Sequence, residues 1–293
     1  MIRFTQYIWL YALISAFVLV PGVYSLARFG LRPSVDFTGG TLLELATVSS
    51  VTQNDMEEIA REVKMPVLSV QKTGGSVFLF RMGETTDDKV NAFVTAIEAK
   101  AEKKLEILKN DTVGPVLGKE LLFKSVIASV IAVIAILTYV AFAFKNVKNG
   151  VSAVIALIHD VLVVFGSFSL FGHFFGVEVD TLFLTAFLTT MSFSVHDTIV
   201  IFDRIREYRK KSPKAPFADV IDVALTETMG RSITNSFTII FMLLALVFMG
   251  GETVRWFAVA LLIGTITGTY SSPFVATPIL LLWNRLEEKR EQK

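Results

Sequence analysis

The sequence predicts an α-helical polytopic membrane protein: six transmembrane helices, with a small extracytoplasmic α+β domain inserted between the first and second. Three observations carry this. Of the 293 residues 53% are hydrophobic and mean hydropathy is +0.58, and the apolar residues are clustered rather than spread. A crossing helix needs about 20 mostly apolar residues, and stretches near 7–26, 121–144, 150–172, 179–202, 232–250 and 254–283 meet that need. One long segment, residues 32–113, is far more polar than its flanks. The domains are thus 1–28 (first helix), 29–120 (extracytoplasmic domain), 121–285 (helices two to six) and 286–293 (tail).

Composition narrows the function. A formal net charge of +1 supplies no basic field for nucleic acid. With no cysteine there is no disulfide scaffold, thiol nucleophile or thiolate metal site. Three histidines are too few for a His-Asp metal site of the phosphohydrolase type. No metal, no other cofactor and no enzymatic activity are expected.

The first span resembles a signal peptide at Ser25-Leu26-Ala27, but its apolar core is too long and its basic start is only Arg3. An uncleaved anchor is expected. Next comes Val35-Asp36-Phe37-Thr38-Gly39-Gly40, a turn in which glycine permits positive φ and Asp bonds its own backbone. Gly114-Pro115 and Gly118 mirror it at the exit, so Asp36, Gly39 and Gly40 belong to one of two glycine-bearing hinges.

Between the hinges, 41–48 is rich in β-branched and apolar residues and reads as a strand. Thr52 or Asn54 caps a helix that puts Met56, Ile59, Ala60 and Val63 on one face. Residues 67–71 and 76–82 form two strands about a Lys72-Thr73-Gly74-Gly75 turn. A second helix, 87–108, capped by Thr85 or Thr86, has acids at its start and lysines at its end, as the helix dipole favours. The order is βαββα, half-ferredoxin-like.

Short loops orient the chain through their Lys and Arg. Lys145 and Lys148 lie between spans two and three; Arg204, Arg206, Arg209, Lys210, Lys211 and Lys214 follow span four; Arg285, Lys289, Arg290 and Lys293 close the chain. The turns at 173–178 and 250–254 carry none. Both termini are therefore expected in the cytoplasm. Pro273 and Pro278 predict a bend or break in the long last span.

The spans also hold charge. His159-Asp160 lies in the third, His196-Asp197 in the fourth, and Arg231 opens the fifth. A carboxylate at a helix centre costs about 2.5–3.5 kcal/mol on insertion scales. A single such group can simply bond across helices, worth about 0.6–2 kcal/mol. For Asp160 that reading and a relay role stand level, since no charged partner is visible in sequence. Asp197 has two cations at its end of the bundle: Arg204, seven residues on and about 10.5 Å along the same face, and Arg231 of the neighbouring span. An Arg favours the ionised carboxylate and burial the protonated one, so a carboxyl between them can carry a proton. Adjacent residues differ by 100° on a helix, which points His196 away from Asp197. No Gly-x-Gly-Asp run supports an aspartic intramembrane protease. Gly264-Thr265-Ile266-Thr267-Gly268 is a small-xxx-small stripe for close helix packing, with no partner named by the sequence.

Taken together, Val35 to Gly40, Val113-Gly114-Pro115-Val116-Leu117-Gly118, His159-Asp160, the block from Asp197 to Glu207, Arg231-Ser232 and Gly268-Thr269-Tyr270-Ser271-Ser272 resemble the SecD/SecF protein-export family. Its architecture is resistance-nodulation-division-like. Ser192, Phe193 and His196 stand where that family typically has Gly, Tyr and Asn. The resemblance implies an accessory subunit of the Sec preprotein translocase in the bacterial inner membrane. It implies a complex with a separately encoded SecD, attachment to the SecYEG channel with YajC and YidC nearby, and use of the proton-motive force to draw preproteins across. It also implies a proton relay of Asp197 and Arg231 with the adjoining Thr198, to which Asp160 and His196 are candidate additions, and a cytoplasmic loop motif at Asp203-Arg204. The alternative with the same plan is a proton-driven exporter subunit for lipids or small amphiphiles.

Overall fold

The computed structural model describes residues 3–46, 52–73, 77–101, 104–144 and 146–291. Thr47 and Val48 of the expected first strand, the Gly74-Gly75 turn, Lys145 and Lys293 lie outside the described residues. The chain divides into two compact units, one of Met1–Arg32 with Ala128–Lys293 and one of Pro33–Ile127.

The smaller unit is a four-stranded antiparallel sheet with two helices and, ahead of them, a single helical turn. Its elements are α2 (Val35–Thr38), β1 (Gly40–Ala46), α3 (Gln53–Glu62), β2 (Val67–Thr73), β3 (Val77–Met82), α4 (Asp87–Ala101) and β4 (Glu106–Val113), in the sheet order β2-β3-β1-β4. β3 alternates buried and half-buried residues, sending Phe78, Phe80 and Met82 inward. They meet Leu43 and Leu45 of β1, Met56, Ile59 and Ala60 of α3, and Val90, Phe93 and Ile97 of α4. Phe80 and Phe93 pack edge-to-face at 5.2 Å. The stripe read from the α3 periodicity is thus the stripe that is buried.

Two features differ from the sequence expectation. α4 ends at Ala101 rather than at 108, and a fourth strand follows it. β4 pairs with β1, and the Thr41 and Thr112 hydroxyls face each other at 3.0 Å. Its residues are mostly exposed, so no period-2 pattern announces it; backbone pairing with β1 makes it a strand. The order becomes βαββαβ.

The glycine turn opens with one helical turn, α2, whose cap Ser34 accepts the Asp36 N–H. Gly39 (φ 77°) and Gly40 (φ 129°) then adopt backbone that other residues avoid. A Cβ on Gly39 would fall 2.6 Å from Pro115 Cα, and one on Gly118 2.8 Å from the Gly39 nitrogen. The glycines at the entrance and exit of the domain therefore pack directly on each other.

At the start of α3, Thr52 and Asp55 form a capping box: Asp55 accepts the Thr52 N–H at 2.8 Å and its hydroxyl at 2.7 Å. These bonds hold the Asp55 carboxyl below its ordinary value of 3.8, with Lys100 adding a weaker pull. A depressed folded pKa stabilises the fold above the unfolded value, and the stabilisation is lost as pH falls through the folded one. Protection of the first-turn amides of α3, relative to the unfolded chain at the same pH, is therefore expected to fall as pH drops from the high threes downward. Asp55→Asn should remove that dependence.

The larger unit holds α1 (Ile8–Phe29), α6 (Val147–Phe175), α7 (Thr181–Lys211), α8 (Phe217–Met249), α9 (Glu252–Ser271) and α10 (Thr277–Glu291), with a short turn at Phe4–Gln6. It also takes the second half of α5 (Pro115–Ala143). Among the described residues six helical stretches are long and apolar enough to cross a membrane, α9 and α10 together forming the last. α6, α7 and α9 bury the most surface, while α1, α5 and α8 expose apolar flanks. α1 crosses α6 where Gly22 meets Gly166, so closely that a Cβ on Gly166 would lie 2.7 Å from Gly22 Cα. The Ser25 and Ser169 hydroxyls bond at 2.9 Å beside that crossing. The glycine stripe of α9 finds its partner in α7: Gly264 abuts Thr190 and Gly268 abuts Ser194.

At Pro273 the last span does not break. It passes through a π-helical turn, Ser272–Ala276, into α10. Proline lacks the donor for the usual bond, and the wider turn accommodates that while the Thr277 hydroxyl donates to the Ser272 carbonyl at 3.0 Å. α7 and α8 both run beyond the expected spans, so the basic loop is largely a helical hairpin. Its Val220, Ile221, Ala224 and Leu225 join Ile201, Phe202 and Ile205 in the core. Buried Asp222 accepts the N–H and hydroxyl of Thr5, both at 2.9 Å.

Candidate functional site: two carboxylate centres in the bundle

The first centre opens on the flank between α7 and α8. A groove of about 680 Å³ is lined by His196, Asp197, Arg231, Ser232, Asn235 and Thr238, among others. Asp197 is half-buried; His196 and Arg231 are exposed. The structure thus brings Asp197 and Arg231 to one cavity, but among the described residues no ion pair joins them. The bonded partner is Ser232, whose hydroxyl donates to Asp197 Oδ2 at 2.7 Å. Arg204, expected to bear on Asp197 from its own helix, binds Glu207 and Glu227 instead. Tyr208 also donates to Glu227, so these groups tie α7 to α8 at the hairpin. Asp203 pairs with Arg206 on the surface at 2.7 Å.

Thr198 does not face the groove. Its hydroxyl bonds the Ser194 carbonyl at 3.1 Å and meets the Ser272 hydroxyl at 2.7 Å, on the α9 side of α7. The 100° between successive helical positions separates it from Asp197. The same 100° does not keep His196 out: it lines the groove beside Asp197, with no hydrogen bond between the two among the described residues.

The second centre is closed. Asp160 and His159 are both buried. Asp160 Oδ2 accepts hydroxyls from Ser194 of α7 at 2.5 Å and Ser271 of α9 at 2.6 Å. Its Oδ1 lies 3.0 Å from His159 Nδ1. His159 Nε2 lies 3.1 Å from the Ser15 hydroxyl of α1, which is 3.2 Å from the Tyr270 hydroxyl. Three helices meet at the carboxylate and a fourth, α1, reaches it through His159, in one connected polar network. Sequence reasoning found Asp160 and missed its partners. The available signal was the placement of Ser194, Ser271 and Gly268 on the seam between α7 and α9. Among the described residues, no group of three or more His, Asp or Glu could hold a metal ion.

Six apolar spans, an α+β unit after the first, and two carboxylate centres between the helices define a polytopic membrane protein of transporter type. Residues 93–286 match the family model for the protein export membrane protein SecD/SecF, C-terminal, and residues 24–51 match the SecD/SecF GG motif. The chain is 40% identical to the protein translocase subunit SecF of Thermobaculum terrenum, over 94% of its own length and 92% of the relative's. It is 32% identical to the protein translocase subunit SecDF of Thermus thermophilus, over 89% of its own length and 36% of that protein. The crystal structure of SecDF, a translocon-associated membrane protein from the same organism, superposes with a TM-score of 0.86 at 28% identity, covering 97% of this chain and 39% of that one. The chain belongs to the SecD/SecF protein-export family, on the SecF side.

Proposed function

We propose that this chain is an accessory subunit of the Sec preprotein translocase that pairs with SecD and uses the proton-motive force to promote export across the cytoplasmic membrane. The observation that carries this reading is the open groove holding Asp197 and Arg231. A carboxylate and a guanidinium facing hydrocarbon would each cost about 2.5–3.5 kcal/mol on insertion scales, so the flank calls for a protein cover. The SecDF relative supports SecD as that cover, because in it a SecF-like part and further chain share one polypeptide. In this reading both termini are cytoplasmic, the α+β unit faces the far side, and SecYEG, with YajC and YidC, supplies the channel and its neighbours.

Asp197 takes up and releases a proton as the groove opens to one side and then the other, with Arg231 lining the same groove. A proton moved across 100 mV supplies about 2.3 kcal/mol and each pH unit about 1.36 kcal/mol. A few kcal/mol biases a two-state rocking motion strongly. Purification of the chain from native membranes in mild detergent tests the assembly. The SecD-like half and channel subunits are expected in the same complex; a chain that purifies without the SecD-like half would sink the proposal.

A further inference from the structure

We propose that the His159–Asp160 pair is a second proton-carrying site, outside the Asp197 groove, and that coupled proton flux needs both. The proposal rests on the proton-coupled reading above and adds a site to it.

The pair lies in a file of exchangeable hydrogens. From Asp160 Oδ1 the file runs to His159 Nδ1 at 3.0 Å, from His159 Nε2 to Ser15 at 3.1 Å, and from Ser15 to Tyr270 at 3.2 Å. The Tyr270 hydroxyl donates to the Tyr11 carbonyl at 2.8 Å. Two voids of about 10 Å³ bracket the file, each with room for about one water. One is lined by Asp160, Val164, Phe187, Thr190 and Gly264. It lies toward the Phe175 end of α6. The other, at the opposite end, is lined by Tyr11 and Thr5, and Thr5 donates to buried Asp222. The file therefore points from mid-bundle to the end that bears the N-terminus.

The charge environment is spare. From α1 the pair meets Ser15, with Tyr11 beyond; from α7, Ser194; from α9, Ser271 and Tyr270. No Lys, Arg or further carboxylate bonds to Asp160 or His159 among the described residues. Chains of Asp, His and hydroxyl groups inside a membrane are the usual material of proton relays.

The step balances without any other reactant than water. Asp160 takes a proton from water in the void it lines, and the Oδ1 proton passes to His159 Nδ1 while the Nε2 proton passes to Ser15 and the Ser15 proton to Tyr270. The Tyr270 hydroxyl then turns from the Tyr11 carbonyl and hands its own proton to water in the void that Tyr11 lines. Each group gives one proton for the one it takes, and no bond between heavy atoms changes. Ser194 and Ser271 hold Oδ2 throughout, leaving Oδ1 as the working oxygen. Because Ser194 lies one turn from Thr198 on the α9 side of α7, the site touches the helix that carries Asp197 without sharing its groove.

The test uses the chain assembled with its SecD-like half in liposomes, with a potential imposed and proton uptake read by an internal dye. Wild-type flux is expected to be lost in Asp197→Asn and in Asp160→Asn, restored in part by Asp160→Glu, and reduced in Tyr270→Phe and Ser15→Ala. Infrared difference spectra between high and low pH should show a carboxyl band that vanishes in Asp160→Asn and survives in Asp197→Asn. Wild-type flux and an unchanged band in Asp160→Asn would overturn the second site and leave the Asp197 reading intact. Loss of flux in Asp160→Asn with normal Tyr270→Phe, normal Ser15→Ala and no Asp160 band would also overturn it, assigning Asp160 to packing alone. Absence of flux in the wild type would overturn both readings. Should Asp160→Asn fail to assemble, the wild-type band and the Tyr270 and Ser15 variants decide.

Discussion

Asp197→Asn is expected to abolish the part of preprotein export that depends on the proton-motive force while leaving assembly with the SecD-like half unchanged. Asn keeps the size of the side chain and an oxygen that can accept the Ser232 hydroxyl, now 2.7 Å from Asp197 Oδ2. The α7–α8 seam therefore survives the change. Asn cannot bind and release a proton, so the few kcal/mol available per proton no longer reach the helices. Export should fall to the level seen when the gradient is collapsed by an uncoupler, and the uncoupler should then have no further effect. Export by the variant at the wild-type rate, still sensitive to uncoupler at low expression, would refute the role of Asp197.

Gly39→Val is expected to unfold or loosen the α+β unit. A β-branched residue at φ 77° is a backbone outlier, and strain of that kind costs about 1–3 kcal/mol. The new Cβ would also fall 2.6 Å from Pro115 Cα, backbone that no rotamer change can clear. Together these take a large share of the roughly 5–14 kcal/mol that a unit of this size can hold. Gly118→Ala isolates the packing, because Gly118 lies in α5 without positive φ and its new Cβ would fall 2.8 Å from the Gly39 nitrogen. Limited proteolysis of the membrane-embedded chain should cleave the Gly39 variant within the unit far faster than wild type, with the Gly118 variant between them. Equal resistance of all three would show that the close packing of the entry and exit glycines is dispensable.

Much of the architecture was legible because it rests on one-dimensional signals. Six apolar runs, the amphipathic stripe of Met56, Ile59 and Ala60, and the glycines at 39 and 40 each answer to a local rule. β4 was not legible: a strand at the sheet edge with exposed side chains has no hydrophobic period, and its reason for existing is the backbone of β1. The continuation of α7 and α8 into a hairpin was hidden by its charges. Arg204 and Glu227, which bond across it, are 23 residues apart in sequence. Of the candidate site, Asp197, Arg231 and His196 share a groove, whereas Thr198 turns to α9 and Arg204 to the hairpin. Helical spacing gave the direction of each side chain only relative to its own axis.

By itself the sequence determined the number of the spans, the place of the polar domain, and the presence of carboxylates whose burial demands partners. Those follow from transfer free energies and backbone geometry, which each residue carries with it wherever the chain folds. Which partners those carboxylates found was decided only in three dimensions. Ser232 reaches Asp197 instead of an arginine, and Ser194, Ser271 and His159 close around Asp160 because Gly264 and Gly268 let α9 come within contact of α7. A hydrogen bond between helices depends on their separation and rotation, and packing of small residues sets both.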